Sequence, residues 1–260
     1  MDIMSRALIL MYHLVDTPRS DKERRFCTTP DDFARQMLHL AQSGYTALSM
    51  AQLLKYIEAN IPLPERSVHI TFDDGFACVL DNAAPILNRH GFPATMFAVS
   101  DRIGSYNDWM TNRGFPKRTI LSIDGLHTLE DAGFTIGSHT RTHARLSEIT
   151  DKEAKEEILS SKERLEDMLG KVVRYFAYPY GKFSQAIRDQ VAAANYEAAC
   201  STRSGFNRPG DDPYLLRRID VFGTDHMWQF KQKLKFGINE AARSYPIRYF
   251  GRRIMARFGA

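Results

Sequence analysis

Apolar positions along the chain alternate between two spacings, one typical of buried β-strands and the other typical of amphipathic helices. Phe33, Met37 and Leu40 recur at helical spacing after a Thr-Pro-Asp-Asp start, and Gly44 follows them as a stop signal. Further helices are predicted over residues 49–60, up to residue 90, around 118–132, over 150–170 and over 184–195. Short apolar or β-branched segments predict strands at residues 7–11, 68–72, 94–99, 134–137, 175–177, 198–201 and 215–221.

This alternation of strands with helices indicates parallel β–α–β units and therefore an α/β fold. The chain has 260 residues, a length at which a single α/β barrel is common. No internal repeat or low-complexity linker interrupts the pattern before residue 225. We therefore predict one domain over residues 1–225 and a basic C-terminal extension over residues 226–260.

The composition, with 43% hydrophobic and 25% charged residues, is typical of a globular protein and excludes collagen-like repeats and coiled coil. Cys27, Cys78 and Cys200 are odd in number and too widely spaced for a disulfide framework or a CxxC zinc site. No apolar run approaches the roughly 20 residues of a transmembrane helix. The short apolar run near the N-terminus lacks a signal-peptide cleavage site, so we expect a cytoplasmic protein.

The positive charge of the chain is concentrated at its C-terminal end. The formal net charge is +4, yet residues 226–260 hold eight Lys or Arg against the single acid Glu240. Aromatic residues lie between these cations, a pattern that favours peripheral contact with anionic lipid headgroups. A solvated helix that caps the fold is the alternative interpretation. Nucleic acid is not an expected partner, because no recognition motif accompanies the basic residues.

Two segments at the ends of predicted strands carry residue types that bind metal ions. Asp73 and Asp74 are adjacent carboxylates that point in different directions, so one can bind a metal while the other accepts a proton. His139 and His143 are four residues apart, a spacing that brings two imidazoles onto one face of a helical turn. Two histidines and one carboxylate form a known catalytic zinc set with positions open for water and substrate. Their joint occurrence predicts a metal site.

Two other strand ends carry weaker signals. Pro179 and Gly181 enforce a tight turn, which can leave a backbone N–H pointing into a site, as an oxyanion hole requires. His13 follows the first predicted strand, and it therefore lies at the same edge of the sheet as the other candidates. Trp109 lies in a loop, where it would either stack on a sugar ring or cover the core.

The motifs Thr-Phe-Asp-Asp-Gly, Ser-His-Thr-Arg-Thr-His and Tyr-Pro-Tyr-Gly, in this order, resemble those of the polysaccharide deacetylase family (the NodB-homology, carbohydrate esterase 4 group). The opening Ile-Leu-Met-Tyr-His-Leu-Val resembles the branch that includes poly-N-acetylglucosamine deacetylases, in which a histidine on the first strand joins the site. The resemblance covers about residues 7–221. It implies an irregular (β/α) barrel of the NodB-homology type, with the site at the carboxyl ends of the strands.

The resemblance also implies a role for each matched residue. Asp74, His139 and His143 would bind the metal ion, with Zn²⁺ expected and another divalent transition metal as the alternative. Asp73 would be the general base that takes a proton from the attacking water. The ion would lower the pKa of that water and polarise the amide carbonyl.

Two more residues complete the implied reaction. His13 would protonate the departing amine, and the backbone N–H of Tyr180 would help to hold the oxyanion. The implied activity removes an N-acetyl group from an amino sugar in a saccharide or glycan precursor and releases acetate. The alternatives are action on another linear or cyclic amide, and a catalytically silent carbohydrate-binding protein. A lipid-linked precursor at the inner face of the membrane would suit the basic extension.

One position departs from the family pattern. Many members carry in the third motif an arginine that pairs with the base, where this chain has Ala177. Neighbouring residues of a strand face opposite sides, so either Arg217 or Arg218 would point inward and replace it, and we favour Arg218. Further polar candidates in the same region are Asp220, Asp225 and His226.

Overall fold

Strands and helices alternate through the computed structural model, which describes residues 5–246 and Tyr249. The strands are β1 (Ala7–Tyr12), β2 (Leu14–Val15), β3 (Cys27–Thr28), β4 (Thr46–Ala47), β5 (Ser67–Phe72), β6 (Ala94–Ala98), β7 (Phe134–Ser138), β8 (Tyr175–Ala177), β9 (Ala198–Cys200) and β10 (Ile219–Asp220). The helices are α1 (Pro30–Gln42), α2 (Met50–Glu58), α3 (Ala84–His90), α4 (Asp108–Thr111), α5 (Ile123–Asp131), α6 (Asp151–Leu169), α7 (Gln185–Ala193) and α8 (Met227–Phe236). Within the described residues, no helix is long and apolar enough to cross a membrane.

The main sheet is parallel and curls into an irregular half-barrel, which confirms the predicted α/β class. Its strand order is β10-β1-β5-β6-β7-β8-β9, and β4 pairs with the beginning of β5. β2 and β3 form a separate pair that the hydrophobic pattern did not predict. At the far edge, Leu216 forms a parallel bridge to Cys200, and β10 then pairs with β1. The chain between Leu216 and β10 therefore joins the two edges of the sheet.

The strand predicted at residues 215–221 is interrupted. A 3₁₀ turn occupies Pro213–Leu215, and only Ile219–Asp220 pairs as a strand. The reason is a change of partner, because Leu216 exchanges hydrogen bonds with the β9 edge whereas Asp220 pairs beside Met11 of β1. A segment that crosses from the β9 edge to β1 cannot keep a continuous ladder of hydrogen bonds with either strand.

Helix ends follow the capping chemistry of the sequence. Thr150 and Glu153 form a reciprocal capping box at the start of α6, and Gly170 ends that helix in the left-handed region with a φ of 66°. Ser122 caps the start of α5, so this helix begins later than the one predicted around residues 118–132. These local signals fix where the helices begin and end.

Residues of the strands alternate between the outer helices and the interior of the barrel. The outer face of β5 packs against the helices through Val68, Ile70 and Phe72. Between them, His69 is buried and its ring nitrogens contact the carbonyl oxygen of Leu48 and the hydroxyl of Thr95 at 2.8 and 3.0 Å. Two residues further, Thr71 donates to a backbone carbonyl of β1. The next inward position, beyond the end of the strand, is Asp73.

The first part of the predicted extension is a helix docked on the barrel. Phe230 and Leu234 of α8 are buried in the main core cluster, and Lys233 is also buried. Residues 227–236 therefore cap the fold, as the alternative interpretation of this segment predicted. The domain boundary at residue 225 stays a prediction. Several tail residues that suggested lipid contact lie outside the described part of the chain: Arg248, Phe250, Arg252, Arg253, Arg257 and Phe258.

Candidate active site

A cavity of about 300 Å³ lies at the carboxyl ends of the parallel strands. The loops that follow the strands converge at this edge, where α/β barrels place their sites. The candidate residues of the sequence analysis that line the cavity are His13, Asp73, Asp74, Trp109, His139, His143, Tyr180 and Asp220. The curled sheet thus brings together residues that are more than 200 positions apart in the chain.

Asp74, His139 and His143 converge on one point inside this cavity. Each offers a ligand atom, and these atoms lie within 4.8 Å of one another. Oδ1 of Asp74 lies 3.2 Å from Nε2 of His143 and 3.7 Å from Nε2 of His139. All three side chains are buried. Two imidazole nitrogens and one carboxylate oxygen form a donor set that fits a divalent transition metal such as zinc.

An unsatisfied carboxylate oxygen supports a metal at this point. Asp74 Oδ1 is buried without a hydrogen-bond partner in the described structure, although buried polar atoms are nearly always satisfied. Burial raises the pKa of Asp74, but the neighbouring His143 and His139 outweigh burial and hold that pKa below its usual range. Burial lowers the pKa of His139 to about 4. An ionised carboxylate and a neutral imidazole are the forms that ligate a cation.

The backbone between the two histidines is not helical, so the predicted helical turn was wrong. Thr140 and His143 have φ values of 65°, in the left-handed region that side chains other than glycine rarely adopt. The Thr140 hydroxyl accepts a hydrogen bond from the His143 N–H at 3.0 Å and closes the turn. Nδ1 of His139 donates to the carbonyl oxygen of Ala177 at 2.8 Å, which directs its Nε2 toward Asp74.

Glu157 of α6 holds this unusual loop in place. Its Oε2 accepts the backbone N–H groups of Arg141 and Thr142 at 3.0 and 2.9 Å, and its Oε1 accepts the Thr142 hydroxyl at 2.8 Å. The glutamate is buried, although nothing in the sequence distinguished it from the other acids of α6. A carboxylate that takes two backbone N–H groups replaces the hydrogen bonds that a helix would have supplied.

Asp73 is held by a buried ion pair with Arg218. The guanidinium donates from Nη1 to Oδ1 at 2.6 Å and from Nη2 to Oδ2 at 2.8 Å, a bidentate arrangement. Its Nε donates to the carbonyl oxygen of Ser201 at 3.0 Å. Burial raises the pKa of Asp73, but the Arg218 charge outweighs it, so this pKa lies below its usual range. Asp73 is therefore ionised near neutral pH.

The structure places Arg218 rather than Arg217 in the interior. Arg218 is fully buried, whereas Arg217 is exposed. The alternation of inward and outward positions explains the difference, because Leu216 and Asp220 also face inward. An arginine from the segment before β10 thus lies beside Asp73, while the backbone carbonyl of Ala177 accepts a hydrogen bond from His139.

Tyr180 lies in a tight turn at the end of β8. Its φ of 58° and ψ of 7° place a bulky residue in the left-handed region, between Pro179 and Gly181. Its ring packs edge-on against His143, with centroids 4.7 Å apart. The turn is therefore as tight as the sequence predicted, and the role of the Tyr180 N–H stays a prediction.

His13 and Asp220 also line the cavity. Asp220 pairs with Met11, two residues before His13. Burial raises the pKa of Asp220, and the nearby His13 acts against that rise. The two other polar candidates lie elsewhere: Asp225 pairs with Lys233, and His226 is exposed at the start of α8.

Two loops of the cavity wall are tied together by Arg118, which the sequence analysis did not single out. Its Nε donates to Glu23 at 2.7 Å, its Nη1 donates to Asp16 at 2.6 Å, and its backbone N–H donates to Asn107 at 2.7 Å. The loop that Arg118 anchors also carries Trp109, whose indole stacks on the His143 ring with centroids 4.9 Å apart. Stacking of Trp109 on a sugar ring stays a prediction. A lone arginine in a loop has no periodic or motif signal in the sequence.

The curled α/β barrel thus places an Asp–His–His cluster beside an aspartate that is paired with an arginine. This arrangement is typical of hydrolase sites that can hold a metal ion. The chain belongs to the polysaccharide deacetylase family, whose family model matches residues 60–199. A poly-beta-1,6-N-acetyl-D-glucosamine N-deacetylase of Staphylococcus epidermidis is 31% identical over 235 residues, which cover 83% of this chain and 78% of that protein. Family membership confirms the resemblance that the sequence motifs indicated.

Two solved structures share the fold. IcaB from Ammonifex degensii superposes with a TM-score of 0.76 at 23% identity, covering 90% of this chain and 97% of that chain. The Streptococcus pyogenes deacetylase PplD, solved in complex with acetate, gives a TM-score of 0.75 at 22% identity and covers 90% and 98% of the two chains. These likenesses confirm the predicted irregular barrel of the NodB-homology type.

The contacts of Glu157 generate a prediction for metal affinity. Glu157→Ala frees the loop between the two candidate histidine ligands, so the affinity for Zn²⁺ is expected to fall roughly 10- to 100-fold. The measurement is calorimetric titration of Zn²⁺ into metal-free protein. The control is Glu156→Ala, which removes the exposed neighbouring acid and is expected to change the affinity less than about twofold. Wild-type affinity in Glu157→Ala would contradict the role given to these hydrogen bonds.

The buried ion pair generates a prediction for stability. Arg218→Ala leaves the Asp73 carboxylate buried without a partner, so the free energy of unfolding at pH 7 is expected to fall by about 3–5 kcal/mol. Because Asp73 has a lowered pKa in the folded state, the contribution of the pair is present at neutral pH. It is lost as the pH falls through that lowered pKa. The measurement is denaturant unfolding of the wild type and the variant.

Arg217→Ala is the matched control for this experiment, since it removes an exposed arginine one position away. Its effect on the free energy of unfolding is expected to stay within about 0.5 kcal/mol. Equal losses of unfolding free energy in the two variants would contradict the stabilising role given to the buried ion pair.

Proposed function

We propose that this protein is a metal-dependent N-deacetylase that acts on N-acetylglucosamine units of a β-1,6-linked polysaccharide or its precursor. The observation that carries the proposal is the convergence of Asp74, His139 and His143 with the ion-paired Asp73 in one cavity. The relative from Staphylococcus epidermidis is named for poly-beta-1,6-N-acetyl-D-glucosamine, and this name supports the choice of saccharide.

The proposed metal is Zn²⁺, held by Asp74, His139 and His143. The donor set of two nitrogens and one oxygen suits zinc, and it leaves room for water and substrate on the cavity side. When bound, zinc supplies a Lewis acid that polarises the amide carbonyl and lowers the pKa of water. Other divalent transition metals accept the same donors, so metal analysis has to decide between them.

The groups around Asp74, His139 and His143 have separate roles in the proposed reaction. Asp73 accepts the proton of the attacking water, because its pairing with Arg218 keeps it ionised and fixed in one orientation. The backbone N–H of Tyr180 donates to the oxygen that becomes negative on the acetyl carbon. His13, which also lines the cavity, donates a proton to the departing nitrogen. The products are acetate and a free amino sugar.

The first test combines metal content with acetate release. Protein purified without added metal is expected to hold about one metal ion per chain and to release acetate from β-1,6-linked N-acetylglucosamine oligomers. Asp73→Asn is expected to keep the ion and to lose at least about 100-fold in kcat, since a general base contributes roughly 10²–10⁴-fold. Metal-loaded wild type that releases no acetate, or Asp73→Asn with wild-type kcat, would overturn the proposal.

His139→Ala tests the metal ligands directly, and it is expected to lose both the ion and the activity. The matched control is His127→Ala, which removes a partly exposed histidine of α5 that contacts only Glu130 among the described ion pairs. This control is expected to retain both. N-formyl oligomers serve as a competing substrate, and a preference for them would change the assigned acyl group.

A separate proposal concerns the membrane. On α8, Trp228 and Lys231 are exposed whereas Phe230 and Leu234 are buried, and Arg243 lies over the Trp228 ring. An exposed tryptophan among cations suits an anionic lipid surface. We therefore propose that the C-terminal extension contacts such a surface, in keeping with the expected location at the inner membrane face.

Vesicle binding tests this contact. The double variant Lys231→Ala/Lys235→Ala is expected to bind phosphatidylglycerol vesicles roughly thirtyfold more weakly than the wild type, at about 1 kcal/mol for each cation near the surface. Lys152→Ala/Lys155→Ala, which removes two exposed lysines of α6, is the control and is expected to bind as the wild type does. A wild type that binds phosphatidylglycerol no better than phosphatidylcholine would contradict the membrane proposal.

A further inference from the structure

Asp220 is a cavity residue with little support from the sheet. It lies in the cavity wall with His13, and its strand pairs with β1 beside Met11. Strand β10 is only two residues long, so the sheet itself gives Asp220 little support. The residues that hold Asp220 in place lie further along the chain, in the predicted C-terminal extension.

Asn239 binds Asp220 through both ends of its amide. Its Oδ1 accepts the backbone N–H of Asp220 at 2.9 Å, and its Nδ2 donates to Oδ2 of the Asp220 carboxylate at 3.0 Å. The same Nδ2 lies 3.4 Å from the carbonyl oxygen of Thr202, another residue of the cavity wall. One amide therefore fixes the backbone and the side chain of Asp220 at the same time.

Lys233 secures the remaining backbone group of Asp220. Its Nζ donates to the Asp220 carbonyl oxygen at 2.8 Å and also contacts the carboxylate of Asp225. The lysine is buried, with its side chain 1% exposed, so its ammonium has these oxygens in place of water. The N–H, the carbonyl and one carboxylate oxygen of Asp220 are thus all bound by residues that follow residue 225.

We infer that Asn239 and Lys233 are positioning residues that hold Asp220 in the cavity wall near His13, so that the C-terminal extension completes the active site. The inference rests on the proposed function, in which His13 protonates the departing amine. A negative charge held near an imidazole favours the protonated ring, which is the form that donates a proton. Residues 200–246 lie beyond the part of the chain that the family model matches, so the family match assigns no role to either residue.

Kinetics of Asn239 variants test the inference in the full chain. Asn239→Ala is expected to lower kcat at least about tenfold, with KM and the Zn²⁺ content close to wild type, because it alters a proton donor and neither the metal ligands nor the substrate contacts. Asn239→Asp is isosteric and keeps the acceptor of the Asp220 N–H, but it sets a second carboxylate against Oδ2. It is expected to lower kcat as well.

Gln232→Ala is the matched control. Gln232 is an amide of the same extension that bonds with both backbone groups of Ala242 and touches no residue of the cavity wall among the described hydrogen bonds. Its kcat is expected to stay within about twofold of the wild type. Wild-type kcat in both Asn239 variants, or equal losses in Gln232→Ala, would overturn the inference.

Amide hydrogen exchange separates this inference from the proposed function, because it needs no activity. The peptide that contains Asp220 is expected to exchange at least about tenfold faster in Asn239→Ala than in the wild type or in Gln232→Ala. Unchanged exchange would overturn the positioning role even if the enzyme is active. Faster exchange in Asn239→Ala, together with a wild type that releases no acetate, would support the positioning of Asp220 and contradict only the proposed reaction.

Discussion

The geometry of the cavity depends on the buried ion pair between Arg218 and Asp73. The two residues come from opposite sides of β1 in the sheet, and the guanidinium also reaches Ser201 at the end of β9. Burying an isolated charge costs several kcal/mol, so separating the pair would leave each partner as an unfavourable unpaired charge. The pair therefore joins the edges of the half-barrel and fixes Asp73, while the adjacent Asp74 turns to the histidines.

Backbone strain is concentrated around the same point. Asp74, Thr140, His143 and Tyr180 all have positive φ values between 58° and 77°. Such conformations cost on the order of 1 kcal/mol each and persist only where surrounding contacts enforce them. Here the enforcing contacts are the carboxylate of Glu157, the Thr140 hydroxyl and the tight turn around Tyr180. These strained residues include the proposed metal ligands Asp74 and His143, and Tyr180, whose N–H is the proposed oxyanion donor.

Much of the barrel could be predicted from the sequence, because its signals are local. Capping residues such as Thr150 mark helix starts, and continuous apolar segments mark strands that are buried on both faces. The backbone between His139 and His143 could not be predicted, because a four-residue spacing permits both a helical turn and the observed loop. The choice depends on Glu157, which reaches the loop from a separate helix. The interruption of the strand before β10 likewise depends on contacts with two distant edges.

The sequence by itself determined the α/β class, the family and the residues of the candidate metal cluster, since motif order and periodicity are properties of the chain alone. Only the tertiary structure decided that Arg218 replaces the arginine missing at Ala177, and that Asn239 and Lys233 secure Asp220. These contacts join segments that are up to 145 residues apart. The curl of the sheet and the burial of the side chains decide which residues so far apart in the chain meet. A local sequence pattern contains no information about either.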